Sequence, residues 1–425
     1  MITNADIVKE LAKEKPVAIF GAGVSGLSAQ KLLEKIGLRT VIYAENLGLK
    51  FGKIEAQNHS LVVYSPAFRP DHEWIKIAES SAIECICESD LSALLWSGKI
   101  IAITGTNGKT TLTNFITHAL NKSGIEAIAV GNIGVPLSEV CAQKQYNKDC
   151  YAICELSSFQ TSKLKYLKPD ALIWTNFDSD HLDWHRDLLE YFSAKLNLVR
   201  ALKSDIFVAG SAVKEYAEKF GITLPNYTKI FDEFNVPTAP EPFASKIQSK
   251  NFEAAKILWN LLGLNENNLI EACKTFALPK FRFSQPATVD NVRFFNDSKA
   301  TNAHAAIAAI NELANSKKLI WLGGGKDKLC DLSPLVECVA KNCASAVLIG
   351  QTAEKLRLLL AEKNVPTYIA KTMNEAVEKC FELAGSDADV VFSPAFSSFG
   401  MFAGYSERGK SFDNAVLCLK NLKKM

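Results

Sequence analysis

The stretch Lys99-Ile-Ile-Ala-Ile-Thr104-Gly-Thr-Asn-Gly-Lys-Thr-Thr111 joins a hydrophobic run to a glycine-containing loop and then to a segment with helical spacing. Residues 100–103 are continuously apolar, which is typical of a strand in a parallel sheet covered on both faces. Gly105 and Gly108 allow the loop backbone to wrap its amides around an anion, and the following helix would present its positive end there. The stretch therefore predicts a strand, an anion-binding loop and a helix in succession.

Short hydrophobic runs of the same kind recur along the chain, separated by segments with helical periodicity. This alternation predicts repeated βαβ units and an α/β fold. We expect three domains, each built on a mostly parallel sheet flanked by helices: a Rossmann-like domain at 1–95, a P-loop ATPase-like domain at 96–279 and a Rossmann-like domain at 280–425. The predicted strands are 17–20, 40–43, 61–64, 99–104, 125–130, 151–154, 171–175, 205–209, 292–295, 318–322, 346–349 and 389–393.

The composition is that of a globular protein, with 48% hydrophobic and 22% charged residues among 425. The formal net charge of +2 has no long run of one sign, so charge gives no reason to expect nucleic acid or a membrane surface as a partner. Eleven cysteines without repeated CxxC pairs favour reduced thiols over a disulfide or zinc framework. The first 15 residues predict a short polar-faced helix, and no apolar run is long enough to span a membrane. We expect a cytoplasmic protein.

The side chains of the loop after residue 104 are suited to a nucleoside triphosphate. Lys109 can reach the β- and γ-phosphate oxygens, and the Thr110 hydroxyl can ligate magnesium. Two residues separate the loop glycines here, where the usual P-loop has four, and a chance match of strand, loop and helix is the alternative. We predict ATP binding by Gly105, Thr106, Asn107, Gly108, Lys109, Thr110 and Thr111.

A second glycine-rich loop, Gly21-Ala-Gly23-Val24-Ser25-Gly26, follows the first predicted strand and opens a helix. Glu45, just past the next strand, could bind a ribose hydroxyl. Alone, this motif favours a nicotinamide-dependent oxidoreductase, with a tight strand–helix turn as the alternative. A dehydrogenase has no use for a second nucleotide loop, so the two loops together predict one reaction with two phosphorylated ligands.

Polar side chains follow other predicted strands. Glu155 ends the strand at 151–154, and His181 lies in a polar segment at 176–185 after the next one, where oxygen-rich magnesium sites form. A third glycine loop at 322–328 and the segment 296–302, with Asn302 as a possible helix cap, would be turns if taken separately. Together they indicate a second lobe. Lys195, by its own pattern, is an ordinary helix lysine.

In chain order, these segments resemble the Mur ligases of peptidoglycan synthesis. The motifs on which this resemblance rests are 105–111, 131–136, 155–160, 180–183, 193–196, 296–302 and 393–399. The strings Glu-Leu-Ser-Ser-Phe-Gln and Asn-Asp-Ser-Lys-Ala-Thr-Asn are similar to those of the D-glutamate-adding member. The resemblance is strong over the central and C-terminal parts and weaker over residues 1–93.

The resemblance implies three substrate sites. The first loop would hold the UDP of a sugar substrate instead of a nicotinamide, and the second would hold ATP. The implied UDP-sugar residues are Gly21, Gly23, Val24, Ser25, Gly26, Glu45, Ser65, Pro66, Asn132, Ser157 and Gln160. The implied additional ATP residues are Asn251, Arg282 and Asp297. The implied D-glutamate residues are Lys299, Thr301, Lys328, Ser398 and Tyr405, with Lys326 competing with Lys328 for one role.

The resemblance also implies the catalytic groups. Two Mg²⁺ ions would be bound, the first by Thr110 and Glu155 and the second by His181 and a carbamylated Lys195. The expected catalytic residues are Lys109, Glu155, His181 and Lys195. Departures from the family pattern include Ala44 before Glu45, the pair Lys250-Asn251, Tyr405 in place of phenylalanine, and Phe399-Gly400 in place of a Leu-Asp pair.

The implied activity is ATP-dependent amide ligation. The γ-phosphoryl group of ATP would pass to the carboxylate of UDP-N-acetylmuramoyl-L-alanine, and the amine of D-glutamate would attack the acyl phosphate. We expect a monomer. The alternatives are another Mur-type or folylpolyglutamate-type ligase, a nicotinamide-dependent oxidoreductase, and a P-loop binding module without chemistry.

Overall fold

The computed structural model describes residues 4–233, 235–314, 317–327 and 331–423. Three sheets flanked by helices make up the fold, which confirms the predicted α/β class. The chain divides into two compact units. The first unit comprises Met1–Phe177, Trp184–Glu241 and Ser249–Phe276, and the second comprises Asp178–Asp183, Pro242–Gln248 and Ala277–Met425.

The first sheet has four parallel strands in the order β2-β1-β3-β4. Its strands are β1 (Val17–Phe20), β2 (Thr40–Tyr43), β3 (Leu61–Tyr64) and β4 (Glu84–Cys87). Its helices are α1 (Asn4–Ala12), α2 (Val24–Lys35), α3 (Lys53–Ala56), α4 (Glu73–Ser80) and α5 (Glu88–Leu95), with a 3₁₀ turn at Glu45–Leu47. The sequence missed only β4, an edge strand that begins with a glutamate. The N-terminal helix was predicted.

The second sheet has six parallel strands in the order β10-β9-β8-β5-β7-β6. They are β5 (Lys99–Thr104), β6 (Ala127–Gly131), β7 (Tyr151–Glu155), β8 (Ala171–Trp174), β9 (Phe207–Gly210) and β10 (Lys229–Phe231). The accompanying helices are α6 (Lys109–Lys122), α7 (Leu137–Gln143), α8 (Ser158–Thr161), α9 (Leu188–Ala201), α10 (Ser211–Lys219), α11 (Lys246–Leu261) and α12 (Glu266–Cys273). β5 lies inside the sheet, and its loop therefore lies between the ends of β7 and β8.

The third sheet has the order β11-β12-β16-β13-β14-β15. Its strands are β11 (Ser284–Val289), β12 (Val292–Asn296), β13 (Lys318–Gly323), β14 (Ser345–Leu348), β15 (Thr367–Ile369) and β16 (Ala388–Phe392). Its helices are α13 (Ala303–Leu313), α14 (Ser333–Asn342), α15 (Ala353–Ala361), α16 (Met373–Ala384) and α17 (Tyr405–Leu422). Only β11 runs antiparallel to its neighbour, because Asp290 and Asn291 turn the chain back with positive φ angles. The sheet is mostly parallel, as predicted.

A buried carboxylate joins the first two sheets within the first unit. Asp90 of α5 is fully buried and accepts hydrogen bonds from the backbone N–H groups of Lys165, Tyr166 and Leu167 at 3.2, 2.8 and 2.8 Å. Burial raises the pKa of this carboxyl, and the three N–H donors oppose that rise. The contact fixes the segment after α8 against α5.

Among the described residues, no helix is both long and apolar enough to cross a membrane. The ten cysteines in this part of the chain are all free thiols, and eight of them are buried. Burial raises the pKa of several, including Cys85 to about 12 and Cys150 to about 11. These thiols are therefore protonated at neutral pH and act as small core residues.

Candidate functional site

The loop between β5 and α6 depends on its two glycines. Gly105 and Gly108 have φ angles of 142° and 85°, which other residues rarely adopt. A Cβ atom at Gly105 would collide with the hydroxyl of Thr175, and one at Gly108 with the side-chain oxygen of Asn251. The predicted ATP residue Asn251 therefore lies directly against the loop, although about 140 positions separate the two in sequence.

Residues at the end of β8 hold this loop in shape. The Thr175 hydroxyl donates to the carbonyl of Asn107 at 2.6 Å, and the Asn176 side-chain oxygen accepts from the Asn107 N–H at 2.9 Å. The N–H of Thr106 donates to the Asn176 carbonyl at 3.2 Å. Sequence reasoning gave Thr175 no role and placed Asn176 only in the polar segment at 176–185. Their position at a strand end next to β5 was the available signal.

Lys109 begins α6, and its ammonium group lies over the loop. It donates to the carbonyls of Gly105 and Thr106, both at 2.9 Å. These carbonyls are neutral acceptors. A bound triphosphate would offer the same ammonium group charged acceptors, which make stronger hydrogen bonds.

Glu155 ends β7, next to β5, and is 2% exposed. One of its carboxylate oxygens accepts from the Asn132 side chain at 3.3 Å, and the Asn132 N–H donates to its carbonyl at 2.8 Å. The other carboxylate oxygen is buried without a hydrogen-bond partner among the described residues. A buried carboxylate oxygen without a partner is unfavourable, and a cation is the group that would satisfy it.

Lys195 of α9 is 1% exposed, so it is not the solvated helix lysine that its local pattern predicted. Its ammonium donates to the Thr104 hydroxyl at 3.2 Å and to the Gly105 carbonyl at 3.0 Å, and it lies 4.9 Å from the Tyr191 ring centre. Lysine is rarely buried to this extent. The amine therefore lies at the base of the same loop.

These observations bear on the expected magnesium and carbamate groups. The described residues contain no cluster of three or more His, Cys, Asp or Glu side chains that could hold a metal. Mg²⁺ retains several water ligands and needs only one or two protein oxygens, so the unsatisfied Glu155 oxygen fits such an ion. Carbamylation would turn the Lys195 amine into a further oxygen ligand, and its burial beside the loop fits that role.

His181 belongs to the second unit. Its backbone has a φ angle of 56°, and its N–H donates to the Asp180 carboxylate at 2.8 Å. Asp180 is 3% exposed and also accepts from the Asn302 side chain at 3.0 Å. Asn302 caps α13 as predicted, since its oxygen accepts from the Ala305 N–H at 2.9 Å. Asp180 thus orients both His181 and the start of α13.

The N-terminal loop lies at the carboxyl edge of the first sheet. Gly21 has a φ angle of 103°, and a Cβ atom there would lie 2.9 Å from the Ser65 hydroxyl, so the predicted residues after β1 and β3 are neighbours. At Gly26 a Cβ atom would collide with the Gly21 carbonyl, which explains the glycine at that point of α2. Glu45 follows β2 at the same edge and is exposed. Val24, Ser25 and Gly23 form the start of α2, and Pro66 follows Ser65.

Ser157 and Gln160 bind each other. Ser157 caps α8, and the Gln160 side chain accepts from the Ser157 N–H at 2.9 Å in a capping box. Gln160 is 3% exposed. The structure therefore gives this pair a structural role next to Glu155, in addition to the predicted ligand role.

Arg282 and Asp297 act on each other within the second unit. Burial raises the pKa of the Asp297 carboxyl to about 7, against the opposing effects of the Ser393 hydroxyl and the Arg282 charge. The Ser393 hydroxyl donates to Asp297 at 3.1 Å. β12 and β16 are neighbours, which brings together the two motifs that follow them.

Four predicted D-glutamate residues are described. The Lys299 ammonium lies 3.9 Å from the centre of the Tyr405 ring, a cation–π contact. Ser398 is 6% exposed in the loop after β16, and Thr301 is partly buried just before α13. Lys326 pairs with Ser397 through a backbone bond of 2.9 Å. Lys328 lies outside the described residues.

Arg408 is a residue that sequence reasoning missed. It lies on α17, is 1% exposed, and donates to the Ser298 hydroxyl, the Ser298 carbonyl and the Phe396 carbonyl at 3.1, 2.7 and 2.9 Å. Burial lowers its pKa to about 10, so it remains charged at neutral pH. It ties together the two loops that carry Lys299 and Ser398.

Comparison with known proteins gives the same assignment for most of the chain. The family model for the Mur ligase middle domain matches residues 103–272, and that for the Mur ligase glutamate ligase domain matches residues 282–396. A UDP-N-acetylmuramoylalanine–D-glutamate ligase from Chlamydia pneumoniae is 31% identical, covering 93% of this chain and 96% of that protein. The chain belongs to the Mur ligase family. It is therefore an ATP-dependent ligase, which is the activity that the resemblance implied.

Other Mur ligase relatives agree over nearly the whole length. The enzyme of the same name from Leuconostoc mesenteroides is 29% identical, covering 96% of this chain and 98% of its own. The structure of a pseudomurein peptide ligase type C from Methanothermus fervidus is similar with a TM-score of 0.61 at 14% identity, covering 96% of this chain and 100% of that one. At this identity the structural likeness supports the three-domain Mur ligase fold alone.

Proposed function

We propose that this Mur ligase adds D-glutamate to UDP-N-acetylmuramoyl-L-alanine through an acyl phosphate, in peptidoglycan precursor synthesis. The observation that carries the proposal is the arrangement around the β5–α6 loop, where Lys109, Lys195 and the unsatisfied Glu155 oxygen accompany a glycine-freed backbone. Relatives named for this activity at about 30% identity over almost the full chain support the substrate assignment.

In the first step, the loop amides and Lys109 would hold the β- and γ-phosphates of ATP. The carboxylate of the acceptor attacks the γ-phosphorus, the bond to the β-phosphate oxygen breaks, and ADP leaves. Lys109 exchanges its bonds to loop carbonyls for bonds to phosphate oxygens as negative charge moves to the leaving group. Thr175 and Asn176 keep the loop in place during this exchange.

The expected Mg²⁺ ions would neutralise phosphate charge and orient the transferred group. The proposed Mg²⁺ ligands in the first compact unit are Thr110, Glu155 and a carbamylated Lys195. In the second compact unit, His181 remains a predicted Mg²⁺ ligand. Asn132 holds one Glu155 oxygen and leaves the other available.

In the second step, the amine of D-glutamate attacks the acyl carbon, and the tetrahedral intermediate expels phosphate. We propose that Lys299, Thr301, Ser398 and Tyr405 bind the D-glutamate carboxylates, with Lys326 or Lys328 as a further cation. Arg282, Asp297 and Asn251 are the proposed contacts with the adenosine of ATP. Arg408 would act indirectly, by fixing the loops that bear these groups.

The UDP-sugar would bind at the carboxyl edge of the first sheet, with the loop at 21–26, Glu45, Ser65 and Pro66 at the UDP, and Asn132, Ser157 and Gln160 towards the acceptor. The proposal retains domains at 1–95, 96–279 and 280–425, a monomer, and a cytoplasmic location.

The test measures phosphate release from ATP with UDP-N-acetylmuramoyl-L-alanine and a panel of amino acids. D-glutamate should stimulate release, and L-lysine, meso-diaminopimelate and L-glutamate should not. Stimulation by another amino acid in its place would refute the substrate assignment and favour another ligase of the family. NADH binding without ATP binding would instead favour the oxidoreductase.

Lys109→Ala should abolish ligation, and Lys122→Ala serves as its control. Lys122 ends the same helix and is exposed. A Lys109→Ala enzyme that keeps most of its turnover would contradict the role given to the loop.

A further inference from the structure

Two strained residues flank Arg282. The backbones of Phe281 and Phe283 have φ angles of 62° and 58°, a left-handed conformation that is uncommon for bulky side chains. Such a conformation persists only where surrounding contacts hold it, and these positions are often near functional groups. Arg282 is the residue between them, and its charge acts on the Asp297 carboxyl.

The contacts that hold Phe281 come from α17 and from the loop after β12. Its ring is 5% exposed and lies against Gly409. A Cβ atom at Gly409 would lie 2.5 Å from both Cγ and Cδ1 of the ring. The Phe281 carbonyl accepts from the Lys299 N–H at 3.1 Å. The residue is therefore fixed through its ring and its backbone.

Phe283 is held on the other side. Its ring stacks on Phe295 with centres 5.1 Å apart and planes at 21°. The Phe283 backbone and the Arg282 charge both lower the pKa of the Asp297 carboxyl, so both parts of the strained segment face that group. A shift of the Phe281 ring has to be transmitted to Arg282, because the far side of the segment cannot follow it freely.

Gly409 has no other evident reason to be glycine. It lies inside the 18-residue helix α17, where glycine is less favourable than alanine, and its conformation is helical. Three ring atoms of Phe281 lie within 3.0 Å of where its Cβ would be. The close approach of the ring accounts for the glycine.

We propose that the Phe281–Gly409 contact is a positioning element that sets Arg282 against Asp297 and thereby determines the affinity for ATP. The inference rests on the proposed role of Arg282 and Asp297 as nucleotide contacts. Neither Phe281 nor Gly409 needs to touch the nucleotide. Both act through Arg282.

The test is a double-mutant cycle of Gly409→Ala and Phe281→Ala, with kcat and KM measured for each substrate. The methyl group of Gly409→Ala would be forced against Cγ of the Phe281 ring. This should raise the KM for ATP about tenfold, while the KM for D-glutamate stays within about twofold. In the Phe281→Ala background the methyl group has room, so Gly409→Ala should add no further increase. Lys410→Ala, at the exposed next position of the helix, is the control and should change nothing.

An equal rise in the KM for ATP in both backgrounds would overturn the proposal, because the cause would then be Asn296, whose side chain donates to the Gly409 carbonyl at 2.9 Å. A rise confined to D-glutamate would overturn it too. If Gly409→Ala does not fold, Phe281→Ala alone decides, since an unchanged KM for ATP in this variant also refutes the idea. Arg282→Ala distinguishes a failure of this inference from a failure of the proposed nucleotide contact. If this variant leaves the KM for ATP unchanged, the role of Arg282 in nucleotide binding is itself refuted.

Discussion

Replacing Asp297 with asparagine should raise the free energy of unfolding of the protein and should also raise its KM for ATP. Asp297 is partly buried in the second unit, and the pKa of its carboxyl rises from 3.8 to about 7, chiefly through desolvation. At roughly 1.4 kcal/mol for each pH unit between these values, keeping this carboxyl ionised in the folded chain costs about 4 kcal/mol. Asparagine has nearly the same shape and no charge, so it removes that cost.

The sign of the pH dependence follows from the direction of this change. The folded chain binds the Asp297 proton more tightly than the unfolded chain, so the stabilising contribution is complete below pH 3.8 and is lost as the pH rises through about 7. The advantage of Asp297→Asn should therefore be about 2 kcal/mol at pH 5 and about 4 kcal/mol at pH 8. Asparagine can still accept from the Ser393 hydroxyl, which lies 3.1 Å from the carboxylate.

Urea unfolding followed by circular dichroism at pH 5 and pH 8 measures both values. Asp290→Asn is the matched control, because Asp290 lies exposed in the β11–β12 turn of the same unit. The same variant should show a raised KM for ATP, since Asp297 is a proposed nucleotide contact. Equal stability of wild type and Asp297→Asn at pH 8 would refute the argument that burial dominates this carboxyl.

Three further predictions concern other buried charges. Lys195→Ala should lose activity and regain part of it with added short carboxylates, and full activity without them would exclude a necessary carbamate. Glu155→Gln should lower ligation at least about 100-fold and remove the rise in melting temperature that Mg²⁺ produces, and a retained rise would place the ion elsewhere. Asp90→Ala leaves three backbone N–H groups without their acceptor and should lower the free energy of unfolding by about 3–6 kcal/mol. Asp149→Ala, at an exposed position, is its control, and equal losses would contradict the structural role of Asp90.

The sequence predicted the interior of each sheet well and its edges less well. β1, β3 and β5 are buried at nearly every position. Each is a nearly continuous apolar run, which can be recognised from the sequence without knowing the neighbouring strands. β10 and β15 have three residues each and are partly exposed, so their sequences resemble those of loops. Edge strands are commonly short and polar, because an exposed apolar edge would pair with other chains.

The candidate site divides in the same way. Glycine loops, Lys109 and Glu155 could be found from the sequence because their chemistry is local: a residue type at a strand end implies its role. Lys195 and Arg408 could not. Each is an ordinary basic residue in a helix until the fold places its side chain against a segment about 90–110 positions away. The resemblance to a known family supplied Lys195, and only the structure supplied Arg408.

The buried charges share a further property. Lys195 and Arg408 both donate to backbone carbonyls of loops that carry the proposed substrate contacts, and both are about 1% exposed. A buried N–H donor of this kind is costly unless it has an acceptor, so each loop carbonyl is confined to a narrow range of positions. Apolar packing would fill the same space but would not fix the direction of a carbonyl. The loops are therefore shaped by buried hydrogen-bond donors at their base, the Lys195 nitrogen under one loop and the Arg408 guanidinium under the other, in a ligase whose sheets otherwise have apolar cores.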